Sequence, residues 1–203
     1  MPSLRLAFVA TMLFVPAIGF AHSAPATSVR ATIEGVSNDA SLLAVRTRAG
    51  EKRSVRLDPK TRVILVVPDS LSNVKPGEFV GVAAVPGEGG DLKAMEVHVF
   101  PESMRGTGEG FRKYDLGPTS TMTNGNVEAR VNGVDGPKLT VTYRGGQQTI
   151  DVGRETPVVA FAPGARDDLK PGAAIIARGS REGDGPVDAS VVFVGKDGLV
   201  PPN

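Results

Sequence analysis

The residue types that could do chemistry are few. The chain has two histidines, His22 and His98, and no cysteine, which excludes disulfides, a thiol nucleophile and thiolate metal sites. His98 stands two residues after Glu96 in a run, Leu92–Phe100, that reads as a strand. Positions i and i+2 of a strand share a face. Met104 follows closely, and Met95 and Met122 are near in sequence. Imidazole and thioether donors suit Cu(I) or a similar soft ion, and imidazole with carboxylate suits Zn(II). His98, Glu96 and Met104 are therefore the candidate metal ligands. The plainer account is preferred: Met95 packs in the core, His98 is a surface or interdomain polar residue, and no cofactor is needed.

Other constellations are weaker. Ser120, Asp115 and His98 could be imagined as nucleophile, orienting acid and base, but no G-x-S-x-G elbow is present, and hydroxyls in a T-S-T-M-T-N run more often bond the backbone in turns. Gly106-Thr107-Gly108-Glu109-Gly110 looks superficially like a phosphate-binding loop. A dinucleotide site needs a helix immediately after it, and here FRKYDLGP is too short and is broken by Pro118. The acidic turns Glu88–Asp91 and Glu182–Asp184 lack the ligand density of a calcium loop. The residues thus argue against an enzyme.

These candidates cluster around one stretch, Pro101–Gly125, which has five glycines, two prolines and no apolar period. A connector of that length is either functional or packed on its neighbours. Arg105, Glu109, Phe111, Arg112, Tyr114 and Asp115 are its candidate interaction surface.

The elements on either side read as strands. Residues 1–21 carry one charge, Arg5, before an apolar run interrupted by Pro16, shorter than the roughly 20 residues of a spanning helix. This is the pattern of a signal peptide, cleaved after residue 21 or 23, and the mature protein is expected to be periplasmic or secreted. Val29, Ala31 and Ile33 then alternate with polar residues, Ser37-Asn38-Asp39 marks a turn, and Leu43 and Val45 continue the pattern. Asp58-Pro59 punctuates before the apolar run Arg62–Val67, Asp69 or Ser70 caps a helical turn, and Lys75-Pro76-Gly77 precedes a closing hairpin over Phe79–Phe100. After the connector the same grammar returns. Thr156 answers Thr61 and Lys170-Pro171-Gly172 answers Lys75-Pro76-Gly77, both at an offset of 95 residues. An internal duplication follows.

The expected fold is therefore all-β: a tandem of two small six-stranded OB-like β-barrels joined by an ordered central connector. Their bounds are residues 29–100 and 126–196, with the connector at 101–125 and a tail at 197–203. Closing each small sheet avoids exposed edges. A β-sandwich shared by both halves is the alternative.

The strand order, the K-P-G turns and the central M-R-G-x-G-E-G…D-L-G-P…M-T-N-G resemble uncharacterised secreted proteobacterial proteins with duplicated small β-barrel domains. That likeness covers Val29–Gly198 and implies the barrel fold but no established activity. The name metal transporter permease that such proteins often carry conflicts with a chain lacking a set of spanning helices.

Formal charge without residues 1–21 is neutral, 22 basic against 22 acidic residues, and tryptophan is absent. Nucleic-acid binding is accordingly disfavoured. A non-catalytic binding or scaffold module is expected, its partner an envelope protein or a small ligand. A metal-binding accessory protein linked to metal transport, holding Cu or Zn, is the alternative.

At the 95-residue offset Glu96 and His98 correspond to Val191 and Phe193, so that face of the second half should be covered. Truncating Phe193 to Ala should cost about 3 kcal/mol of stability, read by urea denaturation. Unchanged stability would remove the covered face.

Overall fold

The computed structural model describes residues 26–87, 91–133 and 136–202. The expected signal segment, its cleavage site and His22 lie outside the described residues.

Period-two patterning builds the first strands. β1 (Ala26–Val36) buries Val29, Ala31 and Ile33, and β2 (Leu42–Thr47) buries Leu43 and Val45. The Asp39 carboxylate closes the turn between them. It accepts the Ser37 hydroxyl at 2.6 Å, the Ser41 hydroxyl at 2.8 Å and the Ser41 amide at 3.1 Å, and these bonds lower its pKa to about 2.

β3 (Lys52–Asp69) continues through Asp58-Pro59, where the sequence suggested a break. The reason is a bulge opposite β12 (Val187–Gly195), where Ala189 pairs with Leu57 but Val191 with Arg62. Pro59 falls in the extra residues, so its missing N–H leaves no hole in the ladder. Thr61 fastens the bulge, donating to Ala189 O at 2.6 Å. Ser70 then caps a 3-10 turn at Leu71–Asn73 by accepting the Ser72 amide.

β4 (Phe79–Pro86) and β5 (Leu92–Val99) precede the connector, which contains a 3-10 turn at Glu102–Met104 and the short β6 (Gly110–Lys113). β7 (Thr121–Gly133), β8 (Gly136–Tyr143), β9 (Gly146–Asp151), β10 (Val158–Pro163) and β11 (Ala174–Ser180) follow. Residues 121–125, read from sequence as connector, are the paired start of β7. No helix among the described residues is long and apolar enough to cross a membrane.

The chain is all-β with a closed five-stranded barrel. β1 pairs with β2 and β2 with β3, both antiparallel. β3 pairs parallel with β12, which returns through β11 to β1. Its core is filled from both ends of the chain, by Ile33, Leu43, Val45 and Val55 against Ile175, Ala177, Val192 and Val194. Two expectations are corrected here. The barrel has five strands rather than six, because β3 is one strand and not two. Its closing hairpin is β11–β12, from beyond the connector, rather than β4–β5. The two hairpins carry the same apolar pattern, so local sequence does not choose between them.

β4 and β5 instead join the strands after the connector. β5 pairs with β4, β4 with β7, β7 with β8 and β8 with β9, around a core including Val80, Val82, Val97, Leu139, Val141 and Ile150. A short parallel contact, Leu92 with Ile150 and Lys93 with Asp151, completes that circuit. The two sets meet where β10 pairs antiparallel with the end of β3, Phe161 opposite Val66, and parallel with β5.

Since β1–β3 are completed by distant strands, residues 26–100 alone should show no cooperative thermal transition. Supplying residues 101–202 in trans should restore one by circular dichroism. A cooperative transition of the first fragment by itself would contradict the exchange.

Candidate functional site

The site lies between the outer faces of the two strand sets, and a bulge aims its residues. Ala84 pairs with Ala94 but Ala83 with Glu96, leaving Met95 unpaired. Ala94 and Val97 can then both enter the core, while Glu96 and His98 turn outward together. Met95, expected in the core, is 39% exposed. β12 repeats this device at Ser190, between Ala189 and Val191.

Facing away from the core of their own strand set does not expose Glu96 and His98, because the junction covers them: they are 2% and 6% exposed. His98 Nε2 lies 3.3 Å from Glu96 Oε1, and that oxygen makes no hydrogen bond. The imidazole leans on Phe161, with ring centroids 5.2 Å apart. Phe161 also touches Phe100 edge-on at 5.1 Å and Phe193 at 5.1 Å, while Phe100 meets Phe79 at 5.4 Å. A row of rings therefore runs across the junction, in the offset and edge-to-face contacts that aromatic quadrupoles favour. Val191 is buried, while Phe193, expected to be covered, is half-buried between Phe161 and Arg178.

A crevice of about 170 Å³ opens beside these rings. His98, Met104 and Met122 line it together with Phe100, Phe161 and Phe193, and Arg112, Tyr114, Asn124 and Arg178 add polar groups. Arg178 Nη2 donates to the Tyr114 hydroxyl at 2.8 Å, and its guanidinium lies over the Tyr114 and Phe193 rings. Burial pushes the Tyr114 pKa up, and Arg178 partly opposes that. Gly81 makes room: a Cβ there would stand 2.7 Å from Asn124 Oδ1 and 3.0 Å from a Phe100 ring carbon. Asn124 donates to Thr107 O at 2.9 Å, while its Oδ1 is buried without a donor.

The structure gathers part of what the sequence singled out. His98, Glu96 and Met104 come to one junction, His98 and Met104 lining the crevice itself. Among the described residues no three of His, Asp and Glu gather as a metal site. Of the connector residues, Tyr114 and Arg112 reach the crevice and Phe111 is 44% exposed. Arg105, Glu109 and Asp115 anchor the connector. Arg105 bonds Glu102, Asn126 and Gly77 O. Glu109 accepts the Arg144 amide at 2.8 Å, and Asp115 accepts Arg30 Nη2 at 3.0 Å. Ser120 bonds Tyr114 O and Gly117 O in a turn, and Asp115 is held by Arg30, so neither is engaged with His98. Sequence reading missed Arg178, Asn124 and Phe161. The one signal available for Arg178 was an arginine in an otherwise apolar closing strand.

No family model, curated protein or solved structure matches the chain. What the fold and site define is a class: an all-β protein with a closed five-stranded barrel, an aromatic junction and a buried glutamate–histidine pair.

A buried polar pair is rarely retained for stability, since well-packed apolar residues often replace it without loss. Installing the counterpart residues as E96V/H98F should leave the thermal midpoint within a few degrees of the parent. H98F alone strands the carboxyl of Glu96 and should cost about 3 kcal/mol. If the double variant were as damaged as the single one, the pair would be a structural requirement.

Proposed function

We propose that the chain is a non-catalytic extracytoplasmic binding module, in which two OB-like barrels of duplicated origin hold a small ligand in the crevice between them. The strand order 1-2-3-5-4 of each barrel, with its third and fifth strands parallel, supports the OB-like reading. Duplication is supported by contacts that recur crosswise. Gly172 N donates to Ile33 O at 2.8 Å and Gly77 N to Val127 O at 2.8 Å. Thr61 bonds Ala189 O as Thr156 bonds Ala94 O. In this reading each half lends its last two strands to the other. The extracytoplasmic assignment rests on the signal-like residues 1–21.

One observation carries the binding role: Glu96 and His98 are polar, buried and beside a crevice at positions where the other copy is Val191 and Phe193. A pre-formed concave site with apolar walls and a few convergent polar groups is the usual form of a small-molecule site. Enclosure of these groups favours a small ligand over an envelope protein.

A second reading, a metal-binding accessory protein, is favoured by His98, Met104 and Met122 lining the same crevice. An imidazole with thioethers suits Cu(I) better than Zn(II).

Native mass spectrometry of protein purified from periplasm without chelator tests both. The binding role predicts a small organic adduct that is lost in E96V/H98F. A copper or zinc adduct that disappears with His98→Ala would put the metal reading in its place. A bare chain, or an adduct indifferent to the double variant, would overturn the crevice as the site.

A further inference from the structure

The polar end of the crevice carries uncompensated positive charge. Among the described residues, neither Arg112 nor Arg178 has a carboxylate within ion-pair distance. Arg112 Nη1 donates to Gly108 O at 2.6 Å and Arg178 Nη2 to the Tyr114 hydroxyl, both neutral acceptors. Arg178 Nε is buried and finds no acceptor at all. Glu96 lies 3.3 Å from His98 and ion-pairs with neither arginine. The two guanidiniums also feel each other. Desolvation is the main cause that lowers the Arg112 pKa, even though the residue as a whole is exposed; Tyr114 opposes it, and the charge of Arg178 adds a smaller push in the same direction. Two like charges held at one wall without a counterion are relieved by an anion. Planar guanidinium forks match a carboxylate with two parallel hydrogen bonds.

The rest of the wall is mostly apolar, though Arg62 also lines it, and part of it is aromatic. Phe100, Phe161 and Phe193 meet at ring separations of 5.1 Å and face the same space. A further flat ring continues such a row favourably. Size limits the guest. The crevice is about 170 Å³, and an apolar cavity of about 150 Å³ holds one benzene. A long acyl chain is too large for this volume, and inorganic phosphate leaves the rings uncovered.

We infer that the crevice binds a small aromatic carboxylate, with its anionic group on Arg112 and Arg178 and its single ring against Phe161 and Phe193. This rests on the reading of the crevice as the ligand site and names the chemical class that site takes.

The test is a titration of the full mature chain with sodium benzoate at pH 7, followed by calorimetry and by the backbone amide signals of Phe161 and Phe193. Benzyl alcohol serves as the neutral ring and acetate as the ringless anion. Benzoate should bind saturably, and each of the other two at least about tenfold more weakly, as the loss of charge-assisted hydrogen bonds or of ring burial implies. R112M should weaken benzoate about tenfold. Its fold is not at risk, because among the described residues the side chain bonds only to Gly108 O. R178K, which keeps the charge but loses the fork, should also weaken benzoate. Benzyl alcohol binding as tightly as benzoate, or benzoate indifferent to R112M, would overturn the anion assignment while leaving the crevice a ligand site. If none of the three probes moved the Phe161 or Phe193 signals, the carboxylate assignment and the crevice reading would fall together.

Discussion

The arrangement depends on the antiparallel pairing of β3 with β10, where Val66 lies opposite Phe161. Those two residues stand 95 apart, the offset of the two Lys-Pro-Gly turns. On either side of this pairing, β12 runs parallel to β3 and β5 runs parallel to β10. The backbone hydrogen bonds of four strands thus meet at one seam. Every such pairing joins residues far apart in sequence, so loop-closure entropy must be met before any of them forms. What stabilises the seam is burial of the aromatic row beside it, together with the two apolar cores it separates.

Local features of this fold were legible in the sequence, and partner choice was not. The alternation of Val29, Ala31 and Ile33, the Asp39 turn and the Ser70 cap are decided by neighbours within a few residues, and they appear where the pattern puts them. The closing hairpins are a different problem. β4–β5 and β11–β12 follow the same turn and bury the same kind of residue, so either would satisfy β1–β3 by pattern. The start of β7 was hidden for another reason. Thr121–Gly125 is hydroxyl- and glycine-rich, yet Thr123 and Asn124 are buried, and Gly125 packs so tightly on Thr142 that a Cβ would stand 2.2 Å from its carbonyl oxygen. Composition alone reads such a run as a loop.

The candidate site was partly visible for the same reason. Glu96 and His98 share a face through simple strand geometry, which spacing shows, although the bulge at Met95 was needed to send Ala94 and Val97 inward together. Arg178, Phe161 and Arg112 come from three other elements and meet only because the halves interlock. No pattern in one element points to a wall built by so many. At the 95-residue offset the polar pair corresponds to Val191, which is buried, and Phe193, which is half-buried against Phe161.

The interlocking has a consequence for motion. Two lobes joined by a single linker can part like a clamshell, but here the two strand sets are tied through β10, so separation would break its antiparallel pairing with β3 or its parallel pairing with β5. The crevice walls are in effect a fixed frame without a hinge. The connector is laddered to β7 through β6 but meets β1 and β11 through side chains: the partly exposed Arg30–Asp115 pair and the Arg178–Tyr114 contact. Of these two contacts, the solvent-screened ion pair weakens as ionic strength rises.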